Sequence, residues 1–403
     1  MRLLGNRYVL VITLVIIAAF IADSLWVRTT HKPLDLRLVK ADNEFAFKLL
    51  KQVAKEHPSG NTVISPISIT LSLHMTYNGA AGSTREAMAK TLCLGGMTFG
   101  EINHANATLL DYVERPNSGI RLDTANSLWA DKDIHFKQPF MEANKLSYRA
   151  EVATLDLRSP SAVPTVNAWV KRQTGGMIHE VVQSLDPEAI LLLINATYFK
   201  GEWTYKFNKS NTDEMPFYLA NGRQKRVPTM HQKGTFLYSH NDWPQIIRLP
   251  YGNGHISMYI MLPTNGFGGQ HFHLAKWDEL LSEMQEVEDI DVYIPRFQIR
   301  YSEDLKQALS SLGMGIAFDP ARANLSGICP PPAWIGLVQH DVMIEVNESG
   351  TEAAAVTDTQ VFAGGHVFMA NRPFFFAIRD DKTGLILFMG WVADPTEGMK
   401  PSD

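Results

Sequence analysis

Cysteine is nearly missing: Cys93 and Cys329 are the only two in 403 residues. No disulfide framework can hold this chain, and at most one bridge is open to it. An excess of charge is missing too, with 37 Lys and Arg against 42 Asp and Glu. No block of basic residues stands out, which excludes a phosphate-binding surface for nucleic acid. There is no internal repeat, no low-complexity tract and no linker rich in Pro, Gly and Ser. Repeat arrays, disordered chains and polytopic membrane proteins are thereby excluded. With 45% hydrophobic and 20% charged residues the composition is that of an ordinary globular protein, long enough to bury a large core.

The usual constellations of catalysis are also missing. His179-Glu180 lacks the second His, four residues after the first, that a zinc helix needs, and neither a Gly-x-Ser-x-Gly elbow nor a phosphate-binding Gly-x-x-x-x-Gly-Lys is present. His271 and His273, beside Gly268-Gly269, could share one face of a strand, but no third or fourth ligand stands near them. No metal, no cofactor and no enzymatic activity are therefore expected, and His104, His231 and His255 read as surface or satisfied core residues.

What is present begins with a targeting element. Arg2 and Arg7 precede an uncharged run, Val9 to Ala22, of 14 residues in which only Thr13 is polar. Residues 1–28 read as a signal peptide, with Ala22 and Ser24 as small residues at a workable cleavage spacing. Leu25, Trp26 and Val27 would lengthen the run into an N-terminal membrane anchor if it is retained. The expected location is secreted or extracellular, or periplasmic or membrane-anchored in a bacterium that leaves the segment uncut.

From Asp42 the spacing of Phe45, Leu49 and Val53 with Ala46, Leu50 and Ala54 predicts a helix capped by Asp42 or Asn43 and closed by Pro58. Ser65-Pro66 predicts the start of a second, Asn78-Gly79 its end, and Ser83 the cap of a third. Further on, Ile190–Phe199, Gln245–Leu249, His255–Leu262 and Ile290–Tyr293 are short apolar or alternating runs that predict strands. Phe374–Ile378 and Leu385–Val392 around Asp380-Asp381-Lys382-Thr383-Gly384 predict a hairpin. The pattern is one α+β domain over residues 37–396, followed by a polar tail, 397–403.

One segment reads differently. In Glu345–Asn371, EVNESGTEAAAVTDTQVFAGGHVFMAN, alternate side chains of an extended chain fall on opposite faces. Thr351, Ala353, Ala355, Thr357, Thr359, Val361 and Ala363 form a row that is small and uncharged. Glu352, Ala354, Val356, Asp358, Gln360 and Phe362 form the other, and both acids sit there. Ala and Gly give it weak strand propensity. A segment of small residues without Pro suits a chain that slides between strands already paired, and a plain surface loop fits the same alternation. These residues alone leave both readings open.

From about Asp42 to Pro395 the chain resembles a serpin. The motifs that carry the resemblance are Asn61-Thr62-Val63-Ile64-Ser65-Pro66-Ile67-Ser68, Asn78-Gly79-Ala80-Ala81-Gly82 and Asn195-Ala196-Thr197-Tyr198-Phe199-Lys200-Gly201-Glu202-Trp203. They continue in the family's order with Ile294-Pro295-Arg296-Phe297 followed by Leu305, Leu309 and Gly313. Gly350-Thr351-Glu352-Ala353-Ala354-Ala355 and Asn371-Arg372-Pro373-Phe374 complete the series.

The resemblance implies about eight or nine helices, three mostly antiparallel sheets and an exposed reactive loop near the C-terminus. It implies a suicide-substrate inhibitor of serine endopeptidases: the protease cuts the loop, the loop inserts as a strand into the central sheet, and the covalent acyl-enzyme is trapped. If about 14 residues insert at roughly 3.3 Å each, the protease is carried on the order of 45 Å. Glu348, Gly350, Thr351, Glu352, Ala353, Ala354, Ala355 and Thr357 match the hinge. A charge at Thr351 would have to be buried, which would mark a non-inhibitory member. Ser65, Ser68, Asn195 and His340 match a polar cluster beneath the opening strands, and Trp203 with Glu348 matches the point where insertion begins.

Counting Glu348 as the seventeenth residue before the cut places the scissile bond at Gly364-Gly365. The loop is about two residues shorter than the family pattern, which leaves Ala363-Gly364 and Phe362-Ala363 open as well. Small residues there imply an elastase-like or subtilisin-like target, with a chymotrypsin-like enzyme at Phe362 second. Lys and Arg are absent from Val361 to Met369, against trypsin-like targets. The partner is a serine protease held by a covalent bond to a monomer, with no nucleic acid, and membrane contact only if the N-terminal segment is retained. The stretch resembling the family's heparin-binding helix, 101–114, has no Lys, so heparin is not expected. Asn106, Asn208 and Asn324 begin glycosylation sequons relevant to a eukaryotic secretory route, and Asn195 and Asn347 begin sequons at structural positions. A non-inhibitory carrier, storage protein or chaperone is the alternative within the family, and an exported hydrolase the one outside it.

Overall fold

The computed structural model describes residues 33–114, 119–186, 188–239, 244–263, 273–349 and 366–397. The N-terminal segment, His271, the loop from Gly350 through Gly365 and the tail beyond Glu397 lie outside the described residues.

The first helix, α1 (Leu36–Glu56), starts one and a half turns earlier than expected, because Leu38 and Val39 extend its buried face upstream. Asp42 does not cap it. Asp42 lies mid-helix, 1% exposed, with Oδ1 3.7 Å from His74 Nε2. Burial raises the Asp42 carboxyl well above the usual carboxylate range and pushes His74 down to about 4. Both groups are held uncharged, which avoids the cost of an ionised pair out of water. Asn43 is committed elsewhere, donating from Nδ2 to Gly384 O (2.8 Å) and accepting from Ile386 N (3.1 Å).

Strand β1 (Thr62–Ile64) leads into α2 (Pro66–Tyr77), whose residues are all buried. Ser65 holds the expected cap position, yet its hydroxyl donates to Leu387 O at 2.9 Å instead of capping. Close packing after Asn78 excludes any side chain at Gly79, since a Cβ there would stand 2.0 Å from Ile328 Cγ1. Helix α3 (Gly82–Thr91) is entered from Ala81, so Ser83 lies inside it. Helix α4 (Phe99–Val113) begins with a capping box between Thr98 and Glu101.

Five strands make the smaller sheet, in the order β10 (Phe297–Asp304), β11 (Ile335–Val346), β4 (Leu191–Gly201), β2 (Ile120–Asp131) and β3 (Glu151–Leu155). β10–β11 and β4–β2 are antiparallel, whereas β11–β4 and β2–β3 are parallel. One face lies over α2. The other is covered by α6 (Ala162–Gln173), which follows α5 (Gln138–Tyr148); Trp169 of α6 meets Trp129 of β2 edge to face at 5.9 Å.

The larger sheet has nine strands. Its core is the expected C-terminal hairpin, β13 (Phe374–Asp380) with β14 (Ile386–Val392), flanked on one side by β1 and on the other by β8 (Ile256–Leu262) and β7 (Gln245–Tyr251). Its other half joins β5 (Thr212–Tyr218), β6 (Gln224–Tyr238), β9 (Gln285–Pro295) and β12 (Val367–Met369). Among the described residues the halves meet at the pair Tyr238 with Ile247 and at the bond from Ser239 N to Ile246 O (2.9 Å). The three expected sheets are thus present, two of them joined edge to edge. His273 is not on a strand: its Nδ1 accepts from Lys276 N (3.3 Å) and caps α7 (Leu274–Ser282). Cys93 and Cys329 are both unpaired thiols, the latter buried.

Candidate functional site at a parallel seam

Strands β11 and β4 run side by side from Ile335↔Leu191 to Ile344↔Phe199. Above that last pair they part. β11 continues to pair with β10 as far as Val346↔Phe297, and β4 with β2 as far as Gly201↔Ile120, but no longer with each other. A parallel pair cannot be closed by a short turn and is slightly weaker per residue than an antiparallel one. A third strand running the opposite way between them would be antiparallel to both.

Beneath this seam a row of polar side chains crosses three strands. Register sets Asn126 of β2 opposite Asn195 of β4, and Asn195 opposite His340 of β11. Asn195 Nδ2 donates to both Ser68 Oγ and Asn126 Oδ1, and Asn195 Oδ1 lies 2.5 Å from His340 Nδ1. Since the amide nitrogen is committed, Oδ1 must accept, which places the imidazole proton on Nδ1. His340 Nε2 then accepts from Ser65 N at 3.1 Å. Every group is satisfied by a neutral ring, and burial pushes His340 down to about 3. Ser68 and Ser72 also donate to Asn126 Oδ1, each at 3.2 Å.

Ser65, Ser68, Asn195 and His340 are therefore brought together in one hydrogen-bonded cluster. Asn126 was missed. Its signal was the β2 alternation Leu122, Thr124, Asn126, Leu128, Ala130, which sets one amide in the middle of an inward-facing row.

At the upper end of the seam Trp203 is bonded to Asn347, the residue before Glu348. The Trp203 indole stacks on Tyr251 (4.2 Å, 10°) and donates from Nε1 to Asn347 O at 2.8 Å. Glu348 is 3% exposed; its carbonyl accepts from Phe207 N (3.0 Å), its Oε1 from the Thr212 hydroxyl (2.7 Å), and its Oε2 lies 3.6 Å from Arg296 Nε. The stem of the loop is thus tied down through Ser349, and the chain returns at His366, whose carbonyl accepts from Asp291 N (2.9 Å) just before β12. Gly350, Thr351, Glu352, Ala353, Ala354, Ala355, Thr357 and Phe362, Ala363, Gly364 and Gly365 lie outside the described residues.

The sequons divide. Asn106 cannot carry a glycan as it stands, being fully buried and hydrogen-bonded through Nδ2 to Ile102 O (2.9 Å). Asn324 is exposed.

The site is thus a five-stranded sheet whose parallel seam ends at Ile344 and Phe199, next to the stem that leads into residues 350–365. The family model that matches residues 40–395 is Serpin (serine protease inhibitor), and the chain belongs to this family of inhibitors, not to a family of enzymes. Among its relatives is Serpin B6 of Macaca fascicularis, 34% identical over 379 residues, covering 89% of this chain and 99% of that protein. The leukocyte elastase inhibitor of Bos taurus is 35% identical over 379 residues, covering 89% and 100%. The native state of tengpin, a thermophilic serpin, superimposes with a TM-score of 0.82 at 29% identity, covering 91% of this chain and 96% of that one.

Proposed function

We propose that this protein is a suicide-substrate inhibitor of serine endopeptidases that traps its target by inserting residues 351 onward between β4 and β11. The observation that carries the reading is the seam itself, parallel, unpaired above Ile344 and Phe199, and adjacent to the stem of the loop. The target's serine attacks the carbonyl at the scissile bond, the amine of the C-terminal fragment leaves, and the acyl ester links protease to loop.

Release of that fragment frees the loop to pair. β4 offers 11 positions; at about 1 kcal/mol net per new hydrogen bond the drive is on the order of 10 kcal/mol, comparable with a domain's whole stability. At about 3.4 Å per residue the same length carries the protease on the order of 37 Å. The row from Thr351 to Val361 is small and uncharged enough to turn inward over Asn195 and His340, while Glu352 and Asp358 face out. Drawing the ester to the far end of the sheet distorts the protease, and loss of about 1 Å of alignment between ester, oxyanion donors and general base slows deacylation by on the order of a hundredfold.

The target is an elastase-like or subtilisin-like enzyme, with cleavage at Gly364-Gly365 or within Phe362–Gly365. Small residues at the bond and the similarity to a leukocyte elastase inhibitor support this. The test is to incubate the protein with elastase, subtilisin, chymotrypsin and trypsin, look for complexes that survive denaturing gels, and sequence the released C-terminal peptide. A released peptide that begins outside this window overturns the register, and cleavage without any stable complex overturns the inhibitor. The N-terminal run Val9–Ala22 supports export with removal of the segment, which N-terminal sequencing of the protein from its host checks.

A further inference from the structure

Helix α1 turns one narrow edge to the solvent, and that edge is cationic. Its inner side is sealed by Phe45, Leu49 and Val53, all buried, and the helix packs on α2, β1, α7 and β14. Between Arg37 and Lys55 the exposed residues are Arg37, Lys40, Lys48, Lys51 and Lys55, with no acid and no apolar residue among them. At about 3.6 residues per turn these five fall within an arc of about 80° and follow about 27 Å of the helix. In sequence they stand three, eight, three and four positions apart. They form no block there, and only the helix gathers them.

The edge is not the overflow of a basic protein, since the chain carries a formal charge of -5. Three acids border it. Glu44 accepts from Lys48 (2.8 Å), Glu101 accepts from Arg37 (2.9 Å), and Asp278 of α7 stands across a cleft from Lys40. Five cations against three acids leave the balance positive. Glu56 lies off the edge, its Oε1 accepting from Gln52 Nε2 (2.8 Å).

A straight row of ammonium heads on a rigid helix matches a plane of negative charge. The upstream sequence favours a lipid plane. Leu36, at the start of the edge, is apolar and 60% exposed. The eight residues before α1 include Arg28, His31 and Lys32, and Leu25-Trp26-Val27 come just before those. Eight residues span at most about 28 Å, so the apolar triplet stays within a helix length of the edge whether the run ahead of it is removed or kept. Basic residues beside Trp and Leu are the composition that settles at the headgroup level of an anionic bilayer.

We propose that the outer edge of α1 is a docking surface for an anionic phospholipid membrane, which holds this inhibitor at a membrane surface. The ammonium heads meet the lipid phosphates while their methylene stems and Leu36 lie against the headgroup layer. The attraction is electrostatic and weakens as salt is added. The claim stands apart from the loop chemistry, and the failure of either leaves the other in place.

Co-sedimentation of the protein, as purified from its host, with phosphatidylcholine vesicles that contain or lack phosphatidylglycerol is the test. Each Lys near such a surface contributes about fivefold in affinity. Lys40→Gln, Lys51→Gln and Lys55→Gln combined are therefore expected to lower the ratio of anionic to neutral binding about a hundredfold. Lys40→Arg, Lys51→Arg and Lys55→Arg combined are expected to preserve it, and both variants to melt and to inhibit as the unaltered protein does. A ratio near one for the unaltered protein overturns the membrane assignment. So does a heparin affinity that falls in the Gln variant while its vesicle binding holds, which would make the edge a glycan surface. A high ratio that is equal in all three forms overturns α1 as the surface.

Discussion

His340 and Asn195 face each other across the parallel seam, Nδ1 to Oδ1 at 2.5 Å, so a side-chain hydrogen bond joins the two strands in the middle of their backbone ladder. Its proton can sit in one place only. With Nε2 accepting from Ser65 N, a second proton on the ring would point at another donor.

That arrangement predicts acid sensitivity. The unfolded chain takes up the His340 proton near 6.5, while the folded chain holds it off until about 3. This contribution to stability is therefore complete above pH 6.5 and is lost as the pH falls toward 3, at up to about 1.4 kcal/mol per pH unit. His340→Gln keeps one donor and one acceptor without titrating. Urea midpoints at pH 7.5 and 5.5 are expected to diverge, with the unaltered protein losing about 1 kcal/mol more than the variant; equal losses would remove His340 from the explanation.

Asn126 and Asn195 should behave as one unit. Asn126→Ala strands Ser68, Ser72 and one Asn195 donor, and Asn195→Ala strands His340 and Ser68. Each is expected to cost about 2–4 kcal/mol, and the double variant much less than the sum, because the second deletion removes groups already orphaned. Denaturant melts of the two singles and the double read the coupling directly, and additivity would argue for two independent bonds.

Thr351→Arg should turn inhibitor into substrate. In the proposed insertion Thr351 is the first residue to turn inward, and a guanidinium buried there without a partner costs several kcal/mol. Cleavage by the target protease should proceed as before, while the yield of gel-stable complex falls more than tenfold. A complex yield that survives the change would mean that Thr351 never enters the sheet.

Heparin should leave the inhibition rate unchanged. Helix α4 has no Lys or Arg, and the neighbouring Arg149 is already engaged by Asp111 and Glu114. Second-order inhibition rates at low and high salt, with and without heparin, are the measurement; a large acceleration that salt abolishes would point to a cationic patch elsewhere.

Much of this molecule was legible before its folding was known. The C-terminal hairpin is local: Asp380 accepts from Thr383 N (2.8 Å) and Thr383 Oγ1 (2.7 Å), a turn that short-range chemistry writes plainly. Ser65, Ser68, Asn195 and His340 were found through family resemblance, because residues up to 275 positions apart leave no periodic trace of their meeting. Asp42 was misread for the opposite reason. Its local look is that of a cap, and only burial against α2 makes it a core residue.

The Trp203 indole, stacked on Tyr251 and bonded to the carbonyl of Asn347, makes the protein its own spectroscopic probe. Any event that pulls the stem of the loop away from that ring must change the polarity around it, so stopped-flow emission can time the first movement of the trap without an attached dye.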